Sequence, residues 1–133
     1  MKTTIATTTL LLALGLSGMA STASAGLYTG NWPFKVTGAK QFDGPKCLTL
    51  EDTGSPEHPS GTATLPGTHG GTFVIIDHLL LAILDTSGEG EVSSLVITAP
   101  ASHGMIGDGI YAEPEGDYAY PLGKALFSKK GGC

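Results

Sequence analysis

The chain has 133 residues, with seven lysines, no arginine and twelve acidic side chains, giving a net charge of −5 with histidine neutral. That length holds one domain with a modest core. The acidity, and the lack of the arginine forks that clamp phosphates, exclude a nucleic-acid partner.

Residues 1–25 read as a signal peptide. Lys2 supplies a positive start, residues 10–16 (Leu-Leu-Leu-Ala-Leu-Gly-Leu) an apolar segment too short to span a bilayer, and Ala23-Ser24-Ala25 the small side chains a signal peptidase accepts. No later stretch is long enough to cross a membrane as a helix. The expected product is residues 26–133, one exported β-domain in the periplasm or the medium, not an integral membrane protein after cleavage. Loss of Lys2 takes its net charge to −6.

Twenty glycines and frequent threonines suit short strands and tight turns. The first expected strand covers residues 32–37, where Pro33 places it at an edge or bend. A turn follows at 41–45. Residues 47–51 (Cys-Leu-Thr-Leu-Glu) alternate cleanly, with Leu48 and Leu50 inward and Cys47, Thr49 and Glu51 outward. Residues 52–60 form a polar loop, and 61–65 a weaker strand.

The most apolar run beyond the N-terminus is residues 71–84, split by Asp77-His78. Its β-branched start and flanking glycines predict a hairpin, with strands at 72–76 and 79–84, against the competing reading of one buried helix. Asp-His is a poor hairpin turn, since neither residue takes positive φ as readily as glycine. An acidic turn occupies 85–91. Further strands are expected at 94–98, ended by Pro100, at 109–113 and at 124–128, with a Gly/Pro-rich stretch spanning 99–123. About eight short strands joined in sequence predict an all-β fold. An up-and-down barrel, which removes exposed edges, is favoured over a two-sheet sandwich.

Cys47 and Cys133 are the only cysteines. In an exported protein they are expected to pair, running over the outer surface and pinning the C-terminal tail to the wall.

The motifs for chemistry are sparse. There is no Gly-x-Ser-x-Gly elbow and no glycine-rich phosphate loop before a helix. His58, His69, His78 and His103 lack metal-ligand spacing and sit in expected turns. Asp85, Glu89 and Glu91 offer oxygen ligands for calcium without the regular spacing of a calcium loop. No metal and no cofactor are expected.

Asp52-Thr53-Gly54-Ser55 resembles the Asp-Thr-Gly-Ser of aspartic proteases, with a partial echo at Asp85-Thr86-Ser87-Gly88. The resemblance implies a carboxylate at Asp52 that shares a proton with a second one. A glycine turn after a strand is the plainer reading.

Trp32, Tyr111, Tyr118 and Tyr120 are the candidate ligand-contacting residues, because such side chains offer an apolar face with a polar tip. Packing at the barrel ends is the competing role for Trp32 and Tyr111. The reading is a non-enzymatic exported binding protein whose ligand is a small molecule, a glycan or a protein. By architectural analogy it is similar to small disulfide-linked inhibitors of hydrolases. The alternatives are a small hydrolase using Asp52 or the histidines, and a structural component of the envelope or matrix.

Overall fold

Alternation of apolar and polar residues sets the inside and outside of every wall segment. In the computed structural model, which describes residues 26–87, 94–115 and 118–133, nine strands form: β1 (Gly30–Thr37), β2 (Gly44–Asp52), β3 (Ser60–Thr64), β4 (Gly71–Ile76), β5 (Leu79–Asp85), β6 (Ser94–Ser102), β7 (Met105–Ile106), β8 (Gly109–Glu115) and β9 (Tyr118–Phe127). Eight of them pair antiparallel in sequence order. β5 pairs with β6, β6 with β8, and β9 returns to β1, which closes the barrel. The short β7 is an extra strand folded back on the end of β6. The signal segment and the Glu89 and Glu91 part of the acidic turn lie outside the described residues.

Inward residues meet in one core. β1 supplies Trp32, Phe34 and Val36; β2 supplies Leu48 and Leu50; β4 and β5 supply Phe73, Ile75, Leu80, Ala82 and Leu84. Cys47, Thr49 and Glu51 face outward as the alternation predicts. Each large side chain moved out of water contributes about 1.5–3 kcal/mol, so the filled interior is the main support of the fold.

The disulfide Cys47–Cys133 spans 86 residues with its Cα atoms 6.0 Å apart. The tail reaches it by continuing along β1, where Ser128 N–H donates to Pro33 O at 2.8 Å and Gly131 N–H to Asn31 O at 2.7 Å.

Two expectations change. First, Pro100 does not end β6, which runs on to Ser102. The ladder to β8 stops at Thr98 and Ile110, and the Pro100 carbonyl accepts from Gly107 at 2.8 Å on that same side. The missing N–H therefore points where no ladder bond was needed.

Second, the last strand begins at Tyr118, not at residue 124. A bulge lets Tyr111 pair with Gly123 and Ala112 with Pro121, leaving Leu122 as the extra residue, so proline and glycine sit within a strand. The expected hairpin over 72–76 and 79–84 forms, and Asp77 and His78 make its two-residue turn with φ of 50° and 63°, the positive values that the right-handed strand twist demands.

Candidate functional site

The strand registers define two ends. The near end carries residues 26–29, the 53–59 loop, the Asp77-His78 turn and the 103–108 connection. The far end carries residues 38–43, 65–70 and the end of β5.

Asp52 lies at the near end. The period of two that turns Leu48 and Leu50 inward also turns Asp52 inward, and it is only 3% exposed. Its carboxylate accepts from the N–H groups of Gly54 at 3.2 Å and Ser60 at 3.4 Å through Oδ1, and of Tyr28 at 3.3 Å through Oδ2. Its own N–H donates to Thr29 Oγ1 at 2.9 Å, and its carbonyl accepts from Gly26 at 3.1 Å. Asp52 thus ties the segment 26–29 to the 53–60 loop. Gly26, Asp52 and Gly54 border a 130 Å³ hollow with Leu27, Pro56 and Pro59.

The partial echo, Asp85, is exposed at the far end. The hydroxyl and N–H of Ser87 hold its carboxyl below the usual carboxylate value, and nearby His69 adds to this. The fold therefore puts the two carboxylates at opposite ends of the barrel.

All four histidines are exposed and in connections. His58, His78 and His103 lie at the near end. His69 lies at the far end, with Nε2 2.8 Å from Ser87 O. Among the described residues, no three His, Cys, Asp or Glu side chains gather to hold a metal ion.

The four aromatic candidates separate into two pairs. Trp32 and Tyr111 are in the core, because β1 and β8 turn them inward. Trp32 Nε1–H donates to Tyr28 O at 2.9 Å, and the Lys130 ammonium lies 5.8 Å from its ring centroid. Tyr111 packs among Phe34 and Phe42, and its burial raises the phenol above the usual value.

Tyr118 and Tyr120 are exposed instead. They stand on the ribbon where residues 113–115 of β8 pair only with 118–120 of β9. Of the four, this pair alone presents its rings to solvent.

The described hollows lie at the surface, since the interior is filled by side chains. The hollow beside the disulfide, about 430 Å³, is bounded by Pro45, Lys46, Leu65 and Pro66.

Exposed apolar residues also gather on the outer wall. Outward from β4, β5 and β6 stand Ile76 (61% exposed), Leu79 (48%) and Ile83 (46%), with half-buried Val74, Leu81 and Val96 among them. This face carries no charge. Asp77 in the turn and Asp85 at the end of β5 stand at its two ends, and no lysine or arginine occurs between Lys46 and Lys124. The face was legible in residues 79–84, which are apolar at every position. A strand apolar on both faces is ordinarily covered on both, and a barrel wall covers only one.

No protein family, curated protein or solved structure matches this chain.

Proposed function

We propose that the chain is an exported, non-enzymatic interaction protein that docks a protein partner on the outer face of β4, β5 and β6. The observation that carries this reading is the contiguous, uncharged apolar surface around Ile76, Leu79 and Ile83 on a protein that is otherwise acidic. Large exposed apolar patches on monomeric proteins mark sites of association.

The filled interior argues against a small apolar ligand inside the barrel. The convex face, poor in hydrogen-bonding groups, argues against a glycan. Asp77 and Asp85 at its two ends favour a partner whose apolar centre is flanked by basic residues, with binding that weakens as salt rises. The ribbon with Tyr118 and Tyr120 offers a secondary contact.

Export to the periplasm or medium is supported by the pattern of residues 1–25 and by a disulfide that fits an oxidising compartment. The non-enzymatic reading is supported by Asp52, whose carboxylate is engaged by main-chain N–H groups, and by the dispersal of the histidines.

The test is cross-linking of the exported protein in its own envelope and culture fluid, comparing Ile83→Lys with Lys35→Glu on the opposite wall. The reading expects Ile83→Lys to lose the partner at an unchanged urea midpoint and Lys35→Glu to keep it. Equal capture by both variants would overturn the assignment of the face. Dimers of the chain that Ile83→Lys abolishes would move the face to the structural-component reading.

A further inference from the structure

The nitrogen of Gly26 sits at the end of a closely fitted contact. It donates to Asp52 O at 3.1 Å, and a β-carbon on residue 26 would overlap the Asp52 side chain. The Asp52 carboxylate is buried, and its hydrogen bonds from Tyr28, Gly54 and Ser60, at 3.2–3.4 Å, are all from neutral main-chain groups. No lysine or histidine among the described residues forms an ion pair with it. Lys130, the nearby cation at this end, is spent on Leu27 O at 3.1 Å and on the face of Trp32. A buried carboxylate without a countercharge is an expensive arrangement, and its natural complement is a single small cation.

We propose that this notch is a binding site for the free α-ammonium group of Gly26, created when the bond between Ala25 and Gly26 is hydrolysed. It rests on the reading of residues 1–25 as a removed signal. Water adds across the amide: Ala25 leaves as a carboxylate, and the nitrogen of Gly26 takes up two protons to become an ammonium. Before cleavage that nitrogen has one N–H, already given to Asp52 O. Afterwards it has three, and the two new ones lie beside the Asp52 carboxylate with a full positive charge.

The overlap at the β-carbon restricts the site to glycine. The first residue after the cleavage point is therefore chosen by the folded barrel as well as by the peptidase. Removal of the leader supplies the barrel's missing countercharge, and the strap of residues 26–29 locks over Trp32 through Tyr28.

The exported protein is first weighed, to fix where it begins. It is then treated with acetic anhydride near pH 7, and each amine is followed by peptide mass mapping. A free α-amine ordinarily reacts ahead of lysine at that pH, because its pKa lies near 8. Here Gly26 should react at least about tenfold more slowly than the same amine after unfolding, as a rise of one pKa unit alone would require. Asp52→Asn should release it.

Because Asp52→Asn also disturbs three hydrogen bonds, a second chain is compared that retains Ala25 in front of Gly26. It keeps Asp52, and should show a fast-reacting amine on Ala25 and a lower urea midpoint. A mass that begins elsewhere than Gly26 refutes the cleavage site, and the proposal falls with it. A chain that begins at Gly26, reacts freely and matches the Ala25 chain in midpoint leaves the export reading standing and overturns the ammonium site alone.

Discussion

Lys35 and Lys124 stand on one side of the barrel, and Ile76, Leu79 and Ile83 on the other, yet the surfaces behind them are alike. Phe34, Val36, Leu48 and Ala125 line the first wall from within; Phe73, Ile75, Leu80 and Leu84 line the second. The inward half of each strand is dictated by closure of the barrel and must be apolar. The outward half is free of that demand. On β1, β2 and β9 it has the composition expected of a solvated surface, with lysines and the clasp of the C-terminal tail. On β4 and β5 it is mostly apolar, with Val74, Ile76, Leu79, Leu81 and Ile83, and Ile76, Leu79 and Ile83 stay about half exposed.

Removing the clasp by Cys47→Ser together with Cys133→Ser should cost about 4 kcal/mol of the unfolding free energy in urea, since a loop of 86 residues is released in the unfolded chain. The apolar wall and its partner capture should be unchanged in the fraction that remains folded. A simultaneous loss of capture would show that the two walls are not independent.

Truncating the core behind each wall, by Trp32→Ala and by Phe73→Ala, should cost about 3–5 kcal/mol in each case, because both side chains are fully buried. A cost at Phe73 much below that range would mean the second wall is loosely packed, and the inner faces would no longer match.

His78→Gly should stabilise by about 1 kcal/mol, since it relieves a side chain held at φ 63° while the main-chain bond from Ala101 N–H to His78 O, 2.9 Å, is kept. A thermal melt reads this directly.

The smallest effect is expected in alkali. Burial keeps the Tyr111 phenol protonated above its ordinary value of 10.0, so the folded state holds that proton longer than the unfolded one. Its contribution is complete below pH 10 and falls as the pH rises through the folded value. Tyr111→Phe should flatten that part of the stability profile.

Local pattern carried a large part of this fold. Residues 47–51 and 71–84 showed their strands because alternation and β-branching act over a few residues, and Cys47 with Cys133 left one pairing within the chain. The remainder depended on partners distant in sequence. Nothing in 118–123 announces a strand, because Pro121 and Gly123 are acceptable only through a bulge against Tyr111 and Ala112. Asp77 and His78 take positive φ because β4 and β5 pull them into it.

At the candidate site, neither the burial of Trp32 and Tyr111 nor the exposure of Tyr118 and Tyr120 was settled by the sequence, since an aromatic side chain suits either role. Asp52 could have been placed inward by extending the parity of Leu48 and Leu50 two residues further. The motif resemblance drew attention to its acid chemistry instead of its position.

The seam between β1 and β9 joins the first strand of the chain to the last. Until β9 has been made, the sheet has two open edges and a greasy interior exposed to whatever else is in the compartment. Closure is therefore a late event in synthesis, tied to a contact between segments some ninety residues apart, and slow by nature. Cys133 lies beyond β9, so oxidation to Cys47 requires that the final strand has been delivered. The bond therefore reports delivery of β9: a chain cut short before residue 133 keeps a lone thiol at Cys47, a chemical mark of its unclosed wall.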